Sequence, residues 1–309
     1  MKLIKPSFSI IEQASGIEGM YKHIELAGRT CYKSEDKITE DSAKGFVERM
    51  IQSGHGAMLE HGTVYLKLEG INKSWEYYHA QKYLENNYSK VVIEREDIDS
   101  TDWCKFYITT NFRVLIENNW LNDLKYICEP TEFHEKRITV KFICDRGVSH
   151  EFVRHRVFSF AQESTRYCNY SKDKFGNEIT CILPPWLSEN DIPKGFGYTS
   201  DDWGSLICEF YYEATEKGKS GGFIIEPVRN FVFALQTSEQ LYFSLLKEGW
   251  KAQEARSVLP NALKTELVMT GFISDWSHFF ELRDAGSAHP QARELAQPLH
   301  EEFIKRNWI

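Results

Sequence analysis

The chain has 309 residues, 42% of them hydrophobic, 27% charged and 14% aromatic, which excludes wholesale disorder, a collagen-like repeat and a coiled coil. The formal net charge of −8 argues against a nucleic-acid binder that uses its whole surface, but it leaves room for a local basic pocket. No run approaches the ~18 apolar residues of a spanning helix. The start, broken by Lys2, Lys5 and Pro6, lacks a signal-peptide pattern. Seven scattered cysteines without a C-x-x-C pair suggest neither a disulfide framework nor a zinc finger, and favour a reducing cytoplasm.

In chain order, Lys2 to Ile11 reads as a strand. Gly16 to Cys31 and Thr39 to Ser53 have helical spacing, the second stopping at Gly54. Thr63 to Glu69 alternates as a strand before Gly70. Residues 71–136 are polar and rich in aromatics, with helices expected at 73–86 and 110–127 and strands at 89–94 and 104–109; this segment reads as an inserted lobe. Arg137 to Cys144 returns to clean strand alternation. Helices are expected at Asp201–Lys217, Glu226–Glu248 (ending at Gly249), Leu263–Leu282 and Gln291–Ile304. Strands first and helices later predict an α+β fold: a central, mainly antiparallel sheet flanked by helices, with the lobe inserted and a helical C-terminal half.

The chemistry concentrates in Arg154-His155-Arg156-Val157-Phe158-Ser159-Phe160-Ala161-Gln162-Glu163-Ser164-Thr165-Arg166-Tyr167. Guanidinium forks match phosphate and carboxylate bidentately, so three arginines and a histidine in this stretch suit an anionic ligand such as a nucleotide. The alternative for an isolated R-x-R is a solvated basic turn. His150-Glu151-Phe152-Val153-Arg154-His155 imitates the zinc motif H-E-x-x-H, but its histidines are five apart. At ~100° per residue they cannot share a metal face, so no metal is expected. No phosphate-binding glycine loop and no G-x-S-x-G elbow occurs, so side chains must hold any nucleotide. Arg256 lies just before Pro260, Arg283 ends a helical stretch, and His289 follows a small-residue loop. A lone helix-end arginine is ordinarily a dipole partner; together with the 154–166 group, these two could surround a dianion.

The spacing Arg154-His155-Arg156-x-x-Ser159-x-x-x-x-Ser164-x-Arg166-Tyr167 resembles the signature of the flavin-dependent thymidylate synthases. His55 to Glu60-His61, Ala255-Arg256-x-Val258-Leu259-Pro260, Leu282-Arg283 and His289-Pro290-x-x-Arg293-Glu294 resemble further elements of that family, in the same order. The resemblance implies one domain over 1–309 and leaves the 71–136 lobe uncovered. It implies reductive methylation of dUMP to dTMP, with 5,10-methylenetetrahydrofolate as carbon donor, FAD as hydride carrier and NADPH as reductant. By the same resemblance Arg154, His155, Arg156 and Gln162 would hold FAD, with His55 and Glu60 approaching from another subunit and His278 and His289 near the flavin. Glu151, Ser164, Thr165, Arg166, Arg256 and Arg283 would bind dUMP, with Ser164 and Arg256 in the catalytic centre. A homotetramer with active sites between subunits follows, without nucleic acid or membrane partners. Departures stand beside the likeness: Ala161-Gln162 replaces a usual Asn-Glu, Glu163 is one position off, and Glu151 replaces a usual Gln.

With no base visible beside Ser164, positioning of substrate is favoured over covalent attack. Two other readings compete. One is a non-catalytic nucleotide or RNA-binding module stacking bases on Phe158, Phe160 and Tyr167. The other is a hydrolase pairing Ser164 with His155.

Overall fold

A computed structural model describes residues 1–71, 74–98, 101–192 and 227–309. The helix expected at Asp201–Lys217 lies outside the described residues, as does Glu226. The chain divides into two compact units. The first comprises residues 1–6, 144–147 and 165–264; the second comprises 7–143, 148–164 and 265–309.

The expected first strand is two strands. Pro6 has no N–H to give a ladder, and the break there separates β1 (Lys2–Ile4) from β2 (Ser7–Ile11). β1 pairs in parallel with β8 (Thr180–Ile182) in the first unit. That pair packs with the Pro227–Lys247 helix, which buries Leu235 and Tyr242 against Cys168, Tyr170, Ile179 and Leu263. The helix stops just before Gly249, whose φ of 97° is a conformation that suits glycine.

In the second unit, four strands run in the order β2, β6 (Arg137–Asp145), β9 (Lys264–Phe272), β7 (Ser159–Gln162). β2 with β6 and β7 with β9 are antiparallel. A three-stranded antiparallel sheet has β5 (Thr101–Asn111) between β3 (Thr63–Ile71) and β4 (Lys90–Ile98). The fold is therefore α+β with mainly antiparallel sheets.

A further expectation fails. Leu263–Leu282 is not one helix: β9 fills its first half, and only Ile273–Arg283 is helical. Every residue from Thr265 to Phe272 is buried. A strand covered on both faces shows no alternation of exposed and buried positions, and without that alternation it is not distinguished from a helix by periodicity. Gly271 settles the local geometry, because a Cβ there would stand 2.5 Å from ring carbons of Phe158. The helix then starts where Asp275 Oδ2 accepts from the Phe272 backbone N–H at 3.0 Å.

The segment 71–136 lies in the second unit. Its helix Trp75–Leu84 and strands β4 and β5 share a core with the N-terminal helices. Leu66, Phe106 and Ile108 pack with Met20 and Ile24 of the Gly16–Tyr32 helix and with Val47 of the Ser42–Gln52 helix. The helix expected over 110–127 is interrupted: Phe112–Glu117 is α-helical, Leu121–Tyr126 is a 3₁₀ stretch, and Asn119 between them has φ 60°.

Candidate active site

The second unit presents the Arg-His-Arg motif on a tight connection. The Arg146–Phe152 helix gives way to turns in which His155 N–H donates to the Phe152 carbonyl at 3.1 Å and Phe158 N–H to the His155 carbonyl at 3.1 Å. This winding turns His155 inward, 7% exposed, beside Phe158 and Phe279. It leaves Arg154 and Arg156 exposed. Neither arginine makes an ion pair among the described residues, so their fixed donor forks remain available to an anion.

Arg283, the last residue of the Ile273–Arg283 helix, is tied to this turn by all three guanidinium nitrogens. Nε donates to His155 Nε2 at 3.0 Å, Nη1 to Glu151 Oε2 at 2.7 Å and Nη2 to the Glu151 carbonyl at 2.9 Å. An arginine can only donate, so His155 Nε2 is unprotonated and the ring proton sits on Nδ1. Burial, then the charge of Arg283, then His278, hold His155 down at about 4. His155 is thus a neutral donor at physiological pH, not a cation for a phosphate. Glu151 is already neutralised by its partner, so a carboxylate is tolerable beside an anion site. The outer N–H groups of Arg283 remain for a further acceptor.

Period-two alternation gives Gln162 and Ser164 intermediate exposure and buries Ala161 and Glu163. Gln162 Nε2 donates to Ser149 Oγ at 2.8 Å and to Thr265 Oγ1 at 3.2 Å. Glu163 is 2% exposed, and its N–H donates to the Glu266 carbonyl at 2.8 Å. Glu266 is itself held between Lys33 at 2.6 Å and Lys141 at 2.5 Å. Of the two residues, Gln162 is therefore the one on the more open side of the strand. Ser164 is fixed by its backbone N–H, which donates to the Cys31 carbonyl at 3.0 Å.

His55 and Glu60 flank the short Gly56–Leu59 helix. His55 is exposed; Glu60 accepts from Arg113 Nη1 at 2.5 Å. His278 is exposed and lies 3.0 Å from Glu281, with its ring 6.2 Å from that of His155. His289 caps the Pro290–Lys305 helix. The structure thus gathers Glu151, His155, His278 and Arg283 in one cluster.

The first unit holds the other nucleotide candidates. Thr165 is buried, and its Oγ1 accepts from Arg256 Nη1 at 3.3 Å. Arg256 is exposed where the Ala252–Ala255 helix runs into a 3₁₀ turn. Arg166, also exposed, donates from Nε to Gln253 at 3.4 Å and sits 5.3 Å from the Tyr167 ring centroid.

The family described as thymidylate synthase complementing protein matches residues 104–306. The chain belongs to that family. It is 23% identical over 291 residues to a flavin-dependent thymidylate synthase of Corynebacterium aurimucosum, covering 94% of this chain and 76% of the relative. A flavin-dependent thymidylate synthase of Pyrococcus abyssi is 28% identical over 163 residues, 53% of this chain and 52% of the relative. Among solved structures, the UMP/dUMP methylase PolB from Streptomyces cacaoi, bound with 5-Br dUMP, is 16% identical with a TM-score of 0.40, covering 99% of this chain and 93% of that one. The match over 104–306 takes in β5 and the rest of the segment up to residue 136, beyond the motifs that carried the resemblance.

Sequence reasoning missed one buried charged group near these elements. Arg137, the first residue of β6, is 9% exposed and hydrogen-bonds the Glu60 carbonyl at 2.9 Å and Ser159 Oγ at 3.1 Å. Its only signal in the sequence was a basic pair, Lys136-Arg137, at the start of an alternating strand.

Proposed function

We propose that this protein is a flavin-dependent thymidylate synthase that converts dUMP to dTMP. The observation that carries this reading is the family match over 104–306, which contains the Arg154-His155-Arg156 turn, whose two arginines make no ion pair among the described residues. The fit to a flavin dinucleotide rests on that turn. Arg154 and Arg156 present free donor forks to a diphosphate, and neutral His155 offers an Nδ1–H beside them. When bound, FAD supplies the hydride chemistry, which no side chain can provide.

The chain's own residues bind and orient. Arg154, Arg156 and Gln162 hold the cofactor, with His155 as the neutral donor between them; His55, Glu60, His278 and His289 complete its surroundings. Arg166 and Arg256 offset the dUMP phosphate and the charge that develops on the uracil ring, which is transition-state stabilisation by preplaced donors. Thr165 orients Arg256. In the second unit, Ser164 and Arg283, the latter held by Glu151, are the further residues proposed for dUMP. 5,10-Methylenetetrahydrofolate as carbon donor, NADPH as reductant, a cytoplasmic homotetramer, a single domain over 1–309 and a lobe at 71–136 belong to this proposal. No described helix is long and apolar enough to cross a membrane.

The test is product analysis. Purified protein with FAD, NADPH, methylenetetrahydrofolate and dUMP should form dTMP in anaerobic chromatography assays. Omitting FAD from the apoprotein should abolish it. Absence of dTMP with all four present refutes the reading.

A further inference from the structure

A cavity of about 310 Å³ lies within the second unit, at the lower end of the range for small-ligand sites. It is bounded by β2, the loop before the Gly16–Tyr32 helix, residues 127–130 and the start of β6. None of the residues assigned above to FAD or dUMP lines it.

Its charges are unequally satisfied. Two carboxylates line it, and both are exposed to solvent: Glu12 pairs with Arg306 at 2.9 Å, and Glu129 accepts from Ser15 Oγ at 2.7 Å. Two cations line it, Lys136 and Arg137, and neither makes an ion pair among the described residues. Arg137 is the telling one. It is 91% buried, and among the described residues its side chain is hydrogen-bonded only to neutral groups: the Glu60 carbonyl, Thr63 Oγ1 and Ser159 Oγ. A buried charge is costly unless it is paired. Glu60 and Asp275 act on it only at longer range. Burial pushes its guanidinium down to about 10, the mark of an uncompensated cation. Isoleucines 10, 11, 127 and 138 with Trp308 supply apolar walls, and Tyr65 and His23 supply polar edges.

We propose that this cavity binds a small organic carboxylate, with Arg137 and Lys136 as its charge partners and the isoleucine walls covering an apolar body. A planar carboxylate matches one guanidinium fork bidentately. The apolar walls favour an organic body over a bare phosphate. The volume suits a body of one ring.

The probe is sodium benzoate, with benzamide as its uncharged counterpart and inorganic phosphate as the competing anion, followed by ligand-observed NMR on the full chain. Benzoate should bind at least about tenfold more tightly than benzamide or phosphate. Saturating dUMP should not displace it. Lys136→Met and Arg137→Gln should each weaken it about tenfold. If Arg137→Gln does not fold, Lys136→Met decides alone. Equal binding of benzamide, tighter binding of phosphate, displacement by dUMP, or benzoate affinity unchanged in Lys136→Met would each overturn the proposal.

Discussion

Acid should unfold this protein early, because three buried histidines are held neutral in the second unit. Burial, reinforced by Arg137, keeps His23 at about 4; burial, then His23 and Arg137, keep His61 at about 3; and His155 stands at about 4. Each folded value lies below the unfolded 6.5, so the folded state resists protonation. Above pH 6.5 neither state is charged and nothing is lost. As pH falls from 6.5 toward 4 the unfolded chain binds protons that the folded chain does not, and stability declines. At pH 5 each group costs about 2 kcal/mol by this linkage, and the three together about 6 kcal/mol. That is comparable with the whole stability of a typical domain. His134, also lowered by burial, adds in the same direction, whereas Asp275, raised by burial, opposes it. The assay is thermal denaturation between pH 7.5 and 5, where the midpoint should fall on the order of 10 °C or more. His61→Asn should flatten part of that slope, since it removes one of the three proton acceptors. A midpoint constant from pH 7.5 to 5 would refute the reasoning.

Other predictions follow from single contacts. Gly271→Ala should destabilise by about 1–3 kcal/mol through overpacking against Phe158, measured by urea denaturation; a neutral result would mean Phe158 yields freely. Phe106→Ala, in the core shared by β5 and the Gly16–Tyr32 helix, should cost about 3–5 kcal/mol. It should lower the midpoint of the second unit as a whole, and an isolated early transition confined to residues 71–136 in hydrogen exchange would contradict that shared core. Arg283→Gln should raise the His155 pKa from about 4 while leaving it below 6.5, because burial is the larger cause. Proton NMR titration of the ring reads this, and an unmoved value would show that Arg283 does not set the state of His155.

Much of the fold could be read from local chemistry. Gly16–Tyr32 and Pro290–Lys305 carry a helical apolar stripe, and Arg137–Asp145 carries a strand's alternation. Gly54, at φ 69°, ends its helix as a glycine there should. The failures occur where tertiary contacts override local pattern. β9 is buried on both faces, so its eight consecutive buried positions have no period to detect. The split at Pro6 was signalled by the proline, but the assignment of its two halves to different sheets depends on β6 and β8, more than 130 residues away.

The candidate site shows the same division. The spacing from Arg154 to Tyr167 pointed to an anionic ligand, and the family resemblance it carries implied flavin-dependent methylation of dUMP. It did not show that His155 is buried and neutral while its neighbours are exposed, since that depends on Phe279 and Arg283. Nor did it show that Glu151, which stands where the family usually has Gln, is balanced by Arg283 at 2.7 Å. Arg137 escaped notice because its lack of a carboxylate partner is a property of packing, and a sequence carries no record of it.

The proposed flavin dependence, with the Arg154-His155-Arg156 turn as the flavin's anchor, is tested most directly by a visible absorbance titration of the dialysed protein. FAD should bind saturably, and dUMP should then shift the flavin spectrum. Arg154→Ala should weaken FAD, whereas Arg166→Ala should spare FAD and remove the dUMP-dependent shift. A protein that ignores FAD at micromolar concentrations, or binds it undiminished with Arg154→Ala and Arg156→Ala combined, would contradict the account.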